Sequence, residues 1–190
     1  MGKRLVCLAL CLLLCALCAG CGGYKADGSF TVLLPQNVAS LDPQTASSSA
    51  AEIVISSLFE GLCRVDEEGE VTPGAARSWE SNSSDTEFTF HLRENAQWSD
   101  GTPLTAQDFV YGIVRALSPS TGSTAEDLLL IQGARSFASG ESDASSLGVV
   151  AEDDHTLVIR LEKSNPDFPA LTAGAHYMPC NQAYFETCQG

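Results

Sequence analysis

The sequence predicts a mixed α/β fold whose strands are mainly antiparallel, and three observations carry that expectation. Short apolar runs alternate with turn signals rich in Gly, Pro, Asp and Asn, the pattern of strands joined by tight connections. One run, Glu87-Phe88-Thr89-Phe90-His91-Leu92-Arg93, alternates strictly, so Phe88, Phe90 and Leu92 face one core. Two further stretches, opening near Ala50 and Thr105, repeat their apolar residues at helical spacing.

At the amino end, Lys3 and Arg4 precede an uncharged apolar run from Leu5 to Leu17. A membrane-spanning helix needs roughly 20 apolar residues, so this run reads as an export signal over residues 1–20. Leu17-Cys18-Ala19-Gly20-Cys21 then resembles a bacterial lipobox, with Cys18 standing where that pattern has Leu. The expectation is lipidation of Cys21, which anchors the protein to the membrane on its extracytoplasmic side. Cys7, Cys11, Cys15 and Cys18 leave with the signal, having served as small apolar residues.

Residues 22–28 form a tether, and Phe30-Thr31-Val32-Leu33-Leu34 predicts a buried strand closed by Pro35. Leu41-Asp42-Pro43 predicts a turn, since a residue before proline is pushed out of helical geometry. Ala46 to Ser49 is small, polar and able to stay extended. From Ala50 a helix is expected, with Ile53, Val54, Leu58 and Phe59 as its apolar stripe and Gly61 as its end. Strands follow at Leu62–Val65, Ala75–Trp79 and Glu87–Arg93, with turns at Asp66–Gly69, Pro73-Gly74 and Trp98–Pro103. Asn82-Ser83-Ser84 fits a glycosylation sequon but reads as loop. Thr105 is placed to cap a helix through Leu117, with Asp108 completing a capping box and Phe109, Val110, Ile113, Val114 and Leu117 as the buried face. A second helix is expected from Thr124 to Ala138, and Leu147–Val150 with His155–Leu161 reads as a hairpin.

Charge and composition exclude some functions. The formal net charge is −14, and loss of residues 1–20 removes Lys3 and Arg4 but no acid, giving −16. Such a chain is repelled by phosphate backbones, so no nucleic-acid partner is expected. The acids are spread thinly, as on a soluble extracytoplasmic surface. Cys63, Cys180 and Cys188 remain beyond the signal; export permits a Cys180–Cys188 disulfide, and no spacing marks a metal site. Asp100 and Asp108 read as a turn side chain and a helix first-turn charge, not as paired catalytic acids. His91, His155 and His176 read as solvated or structural, and neither HExxH nor GxSxG is present, so no enzyme is expected.

An ordered set of segments carries a specific resemblance. Ser40-Leu41-Asp42-Pro43 is followed by Leu58-Phe59-Glu60-Gly61-Leu62, then by Thr72-Pro73-Gly74-Ala75-Ala76-Arg77-Ser78-Trp79-Glu80 and Phe88–Arg93. The strongest segment is Trp98-Ser99-Asp100-Gly101-Thr102-Pro103-Leu104-Thr105-Ala106-Gln107-Asp108-Phe109-Val110-Tyr111, and Leu147-Gly148-Val149 through Asp154-His155-Thr156-Leu157 completes the set. Together they are similar to the extracytoplasmic solute-binding proteins, family 5, of oligopeptide and dipeptide ABC importers, over nearly all of residues 30–188.

That resemblance implies a two-lobed clamp of the type II periplasmic-binding-protein kind, closing on a peptide held extended by strand-type hydrogen bonds. It implies that residues 21–46 hold the lipidated cysteine, tether and first strand of lobe one, that 47–168 form the family's side domain, and that 169–190 begin the return to lobe one. It maps a first-lobe ligand contact onto Ala46, Ser47, Ser48 and Ser49, acting through main-chain groups. It implies oligopeptide ligands, permease subunits as partners and no cofactor. The family is normally about three times longer than this chain, so the expectation is a first part of the clamp that alone binds peptide weakly or not at all. Alternatives are a truncated lipoprotein acting as an interaction domain, or a binder of nickel or haem.

Overall fold

The computed structural model describes residues 31–188, apart from Thr124. The export signal, Cys21 and the tether therefore lie outside the described residues. Thr31–Leu34 forms no strand, and Val32 and Leu33 are 57% and 95% exposed. The expectation of a buried strand there fails because a strand exists only within a ladder, and among the described residues none pairs with it.

The described residues from 35 to 188 form a single compact unit. Its centre is a four-stranded antiparallel sheet in the order β3-β4-β6-β5, built from β3 (Ala76–Ser81), β4 (Glu87–Leu92), β5 (Val149–Asp153) and β6 (Thr156–Arg160). A two-stranded ribbon precedes it, β1 (Cys63–Val65) with β2 (Val71–Pro73). The β2 strand is too short, and too close to Pro73-Gly74, to register in a sequence pattern. In β4 alternation holds: Phe88, Phe90 and Leu92 are buried while Glu87, Thr89 and His91 stay partly exposed. The β5–β6 hairpin also forms as expected, with His155 in its turn.

Helix α1 spans Ser49–Leu58 and α2 spans Ala106–Leu117. The α2 boundaries match the capping signal, because the Asp108 carboxylate accepts from the Thr105 N–H at 2.8 Å. The same carboxylate accepts from Trp98 Nε1 at 3.4 Å, and Asp100 accepts from the Thr102 N–H at 2.9 Å. Both acids thus do the turn and cap work expected of them. Phe109, Ile113 and Leu117 of α2 pack with Phe88, Phe90, Leu157 and Ile159 of the sheet in one core. Short α4 (Phe168–Leu171) delivers Phe168 into that core, with ring centroids 5.1 Å from Phe88 and 5.7 Å from Tyr177. Such aromatic pairs add about 0.5–1.5 kcal/mol each beyond their burial.

Two helix expectations need correction. In α1 the inward face is Ala50, Ala51 and Ile55, while Ile53 and Leu58 are 47% and 62% exposed. Small side chains let this helix sit close against Ala175 and Met178, forming a separate small core with Ala46. The helix expected over 124–138 is split into a 3₁₀ turn, Glu126–Leu130, and α3, Ala134–Ala138. Ile131 instead bridges to Leu161, and Gly133 takes φ +76°. A Cβ at Gly133 would lie 2.4 Å from the Ser146 carbonyl oxygen. That left-handed, crowded position is open to glycine alone.

The chain returns through a 3₁₀ turn, Ala175–Tyr177, to α5, Gln182–Thr187. Gly112 of α2 faces the Met178 carbonyl, where a Cβ would lie at 2.6 Å. The resulting close approach sets Arg115, 13% exposed at its side chain, against the segment before α1. Its Nη1 donates to Asp42 Oδ1 at 2.7 Å and to Gln44 Oε1 at 2.8 Å, its Nη2 donates to Asp42 Oδ2, and its Cζ lies 3.9 Å from the Phe185 ring centre. The buried Gln44 amide donates onward to the Met178 carbonyl at 3.0 Å.

Gly133→Ala is expected to cost about 1–3 kcal/mol, read as a lower urea midpoint with unchanged slope. Arg115→Met, which leaves Asp42 and Gln44 without their donor, should cost about 2 kcal/mol in the same measurement.

Candidate functional site

Ala46, Ser47, Ser48 and Ser49 link the Pro43–Thr45 turn to α1, and the network around Arg115 fixes the turn from which they start. Asp42 caps that turn, its Oδ1 accepting from the Gln44 N–H at 3.1 Å. Ala46 follows with φ −60° and ψ 129°, and Ser48 with φ −139° and ψ 145°, both extended. The segment is therefore short, strand-like and stopped by a helix.

Each residue there has a different standing. Ala46 is buried, and its carbonyl faces His176 Nε2 at 3.1 Å. Ser48 is the N-cap of α1, its hydroxyl accepting from the Ala51 N–H at 3.2 Å and its carbonyl from the Glu52 N–H at 3.0 Å. Ser49 opens the helix and is exposed. Ser47 is exposed, and among the described residues its N–H and C=O enter no hydrogen bond. A residue between two extended neighbours, with both main-chain groups directed to no partner, is what a strand-type contact needs. The small side chains leave that approach open.

Behind the segment, His176 Nδ1 lies 2.9 Å from Asp127 Oδ1, and the Tyr177 hydroxyl donates to the Asp127 carbonyl at 3.1 Å. The Asp127 hydrogen bond holds the His176 pKa above its ordinary value, against the opposing effect of burial. Burial likewise pushes the Tyr177 phenol up. His176 is thus structural, as its apolar neighbours suggested. His91 lies 3.6 Å from Glu80, and among the described residues no histidine hydrogen-bonds a Ser, Thr or Cys side chain.

A groove of about 960 Å³ is lined by residues that include Asp42, Arg115, Leu41, Leu58, Trp98 and Tyr184. None of Ala46–Ser49 lines it. Cys180 and Cys188 border it as free thiols, so the disulfide that export permits is not formed. Burial raises the Cys180 pKa. The described residues hold no cluster of His, Cys, Asp and Glu suited to a metal ion.

Sequence reasoning missed the roles of Arg115, Gln44 and Asp127. Arg115 left one trace, the single basic side chain of its helix, in the last turn. Gln44 and Asp127 left none, because their partners lie far along the chain.

Comparison with known proteins adds a family to this geometry. Residues 70–187 match the family described as bacterial extracellular solute-binding proteins, family 5 Middle. The chain is 43% identical over 152 residues to the periplasmic murein peptide-binding protein MppA of Escherichia coli strain K12, covering 78% of this chain and 28% of that protein. It is 40% identical over 169 residues to the probable deoxycholate-binding periplasmic protein YgiS of the same strain, covering 82% of this chain and 32% of YgiS. Among solved structures, OppA of Burkholderia pseudomallei matches with a TM-score of 0.77 at 37% identity, over 81% of this chain and 30% of that one. The Escherichia coli murein tripeptide binding protein MppA matches with a TM-score of 0.75 at 44% identity, over 78% of this chain and 30% of that one. The chain therefore spans about a third or less of the length of these relatives. On the family match and these identities, the chain belongs to the bacterial extracellular solute-binding proteins, family 5.

Proposed function

We propose that this chain supplies part of an extracytoplasmic receptor that captures oligopeptides for an ABC importer. The observation that carries this reading is the short link from Ala46 to the α1 cap, extended at Ala46 and Ser48, with Ser47 exposed and its main chain unpaired among the described residues. Main-chain contacts of that kind accept many side-chain sequences, which suits a receptor for mixed peptides. Similarity to murein peptide-binding MppA and oligopeptide-binding OppA supports the ligand class. The same reading divides the chain into residues 21–46 of lobe one, a side domain over 47–168 and a return to lobe one over 169–190. It places the protein outside the cytoplasm, anchored through lipid on Cys21, where a permease collects the cargo. Similarity to YgiS supports a second reading, in which the cargo is an amphipathic steroid acid.

One open segment encloses a ligand on one side only, whereas binding pockets bury about 70–90% of theirs. The chain by itself is therefore expected to show no micromolar site when titrated calorimetrically with a mixed tripeptide pool. At millimolar peptide, amide chemical shifts should move at Ser47, Ser48 and Ser49. Shifts confined to the groove around Leu41, Leu58 and Tyr184 would relocate the site, and deoxycholate in place of peptide would then test the steroid reading. Micromolar affinity would refute one-sided binding. Cys21→Ser is expected to move the exported protein from the membrane fraction to the soluble one, as read by immunoblot of cell fractions.

A further inference from the structure

His176 stands between two groups that only accept hydrogen bonds. Its Nδ1 is 2.9 Å from a carboxylate oxygen of Asp127, and its Nε2 is 3.1 Å from the carbonyl oxygen of Ala46. A neutral imidazole carries one N–H, so it can satisfy one of these acceptors and must turn a lone pair toward the other. The imidazolium donates to both. The side chain is 15% exposed, so water is a poor substitute for either partner.

The surroundings favour the charged ring. Facing it are Asp127, from the Glu126–Leu130 turn, and Glu52, from α1, both acidic. On α2, which also packs against this turn, Arg115 is committed to Asp42 and Gln44, and Asp108 to Thr105 and Trp98. The acceptor at Nε2 belongs to the first residue of the segment assigned above to ligand contact. We propose that His176 is a positioning residue whose doubly protonated ring clamps the Ala46 carbonyl and so holds the backbone that leads from Ala46 to the Ser48 cap, an inference that rests on the reading of Ala46–Ser49 as the ligand contact.

The clamp makes the segment responsive to pH. The folded-state pKa of His176 is raised, chiefly by the Asp127 hydrogen bond. Its contribution is therefore complete below the unfolded value of about 6.5 and is lost as pH rises through the folded value. Loss of the proton frees the Ala46 carbonyl first if the remaining N–H stays on Nδ1, where the carboxylate is the stronger acceptor.

Long-range proton–nitrogen NMR of histidine-labelled protein, with the pH dependence of the Ala46 carbonyl-carbon and Ser47 amide resonances, tests this without any peptide. The expected result is a His176 ring bearing protons on both nitrogens at neutral pH and titrating above about 6.5. Asp127→Asn should lower that midpoint, and with it the pH at which the Ala46 carbonyl-carbon and Ser47 amide resonances shift. His176→Gln, which keeps one donor but cannot titrate, should leave both resonances without a step at that pH. A His176 midpoint at or below the ordinary value would overturn the proposal, as would the same pH profile of these resonances in the wild type and in His176→Gln. If the Gln variant fails to fold, the wild-type titration and Asp127→Asn decide. A protein that passes these tests yet shows no peptide-induced shifts at Ser47–Ser49 retains the clamp and loses the ligand reading.

Discussion

The contact between Arg115 and the pair Asp42 and Gln44 is the constraint on which the candidate site rests. It joins residues more than seventy positions apart, and it does so with a planar fork of donors that a carboxylate and an amide oxygen can fill together. A lysine there would be a point charge with no such geometry. Because the guanidinium also lies over the Phe185 ring, the final helix is drawn to the same node. Helix, turn and return segment are thereby registered against each other before any ligand is considered.

From that registration follows what the molecule is suited to do. Two of the groups with perturbed proton affinity, His176 and Arg115, face fixed acceptors inside the protein. Both are employed in holding the segment that carries the candidate contact. What Ser47 itself offers there is a plain N–H and C=O, groups suited to binding. This agrees with the family, whose named members are binding proteins.

Local physics was legible in the sequence wherever a short-range rule decided the outcome. Alternation in β4, the Thr105–Asp108 cap, the Asp100 turn and the β5–β6 hairpin all depend on neighbours within a few residues. The failures share the opposite property. Whether Ala51 or Leu58 faces inward depends on Met178, and Gly133 breaks a helical pattern because of Ser146. The strand expected at Thr31–Leu34 had composition in its favour but needed a ladder partner. Within the site, the extended backbone at Ala46 and Ser48 could be read from the residues, while Ser49 already belongs to α1. The His176 and Arg115 supports could not, because hydrogen-bond partners at such separation leave no periodic trace.

The strand order also governs how the molecule can be assembled in time. In the centre of the sheet β4 pairs with β6, Phe88 lying opposite Ile159, so the inner ladder unites segments far apart in the sequence. Closing so large a loop carries an entropic cost that local hairpins avoid, and sheets dominated by distant pairings fold slowly. Until residue 160 has emerged from a ribosome or a translocation channel, β4 has only β3 beside it, and its apolar face stays uncovered. A polypeptide wired in this manner remains threadable until its second inner strand arrives, and only then sets this core.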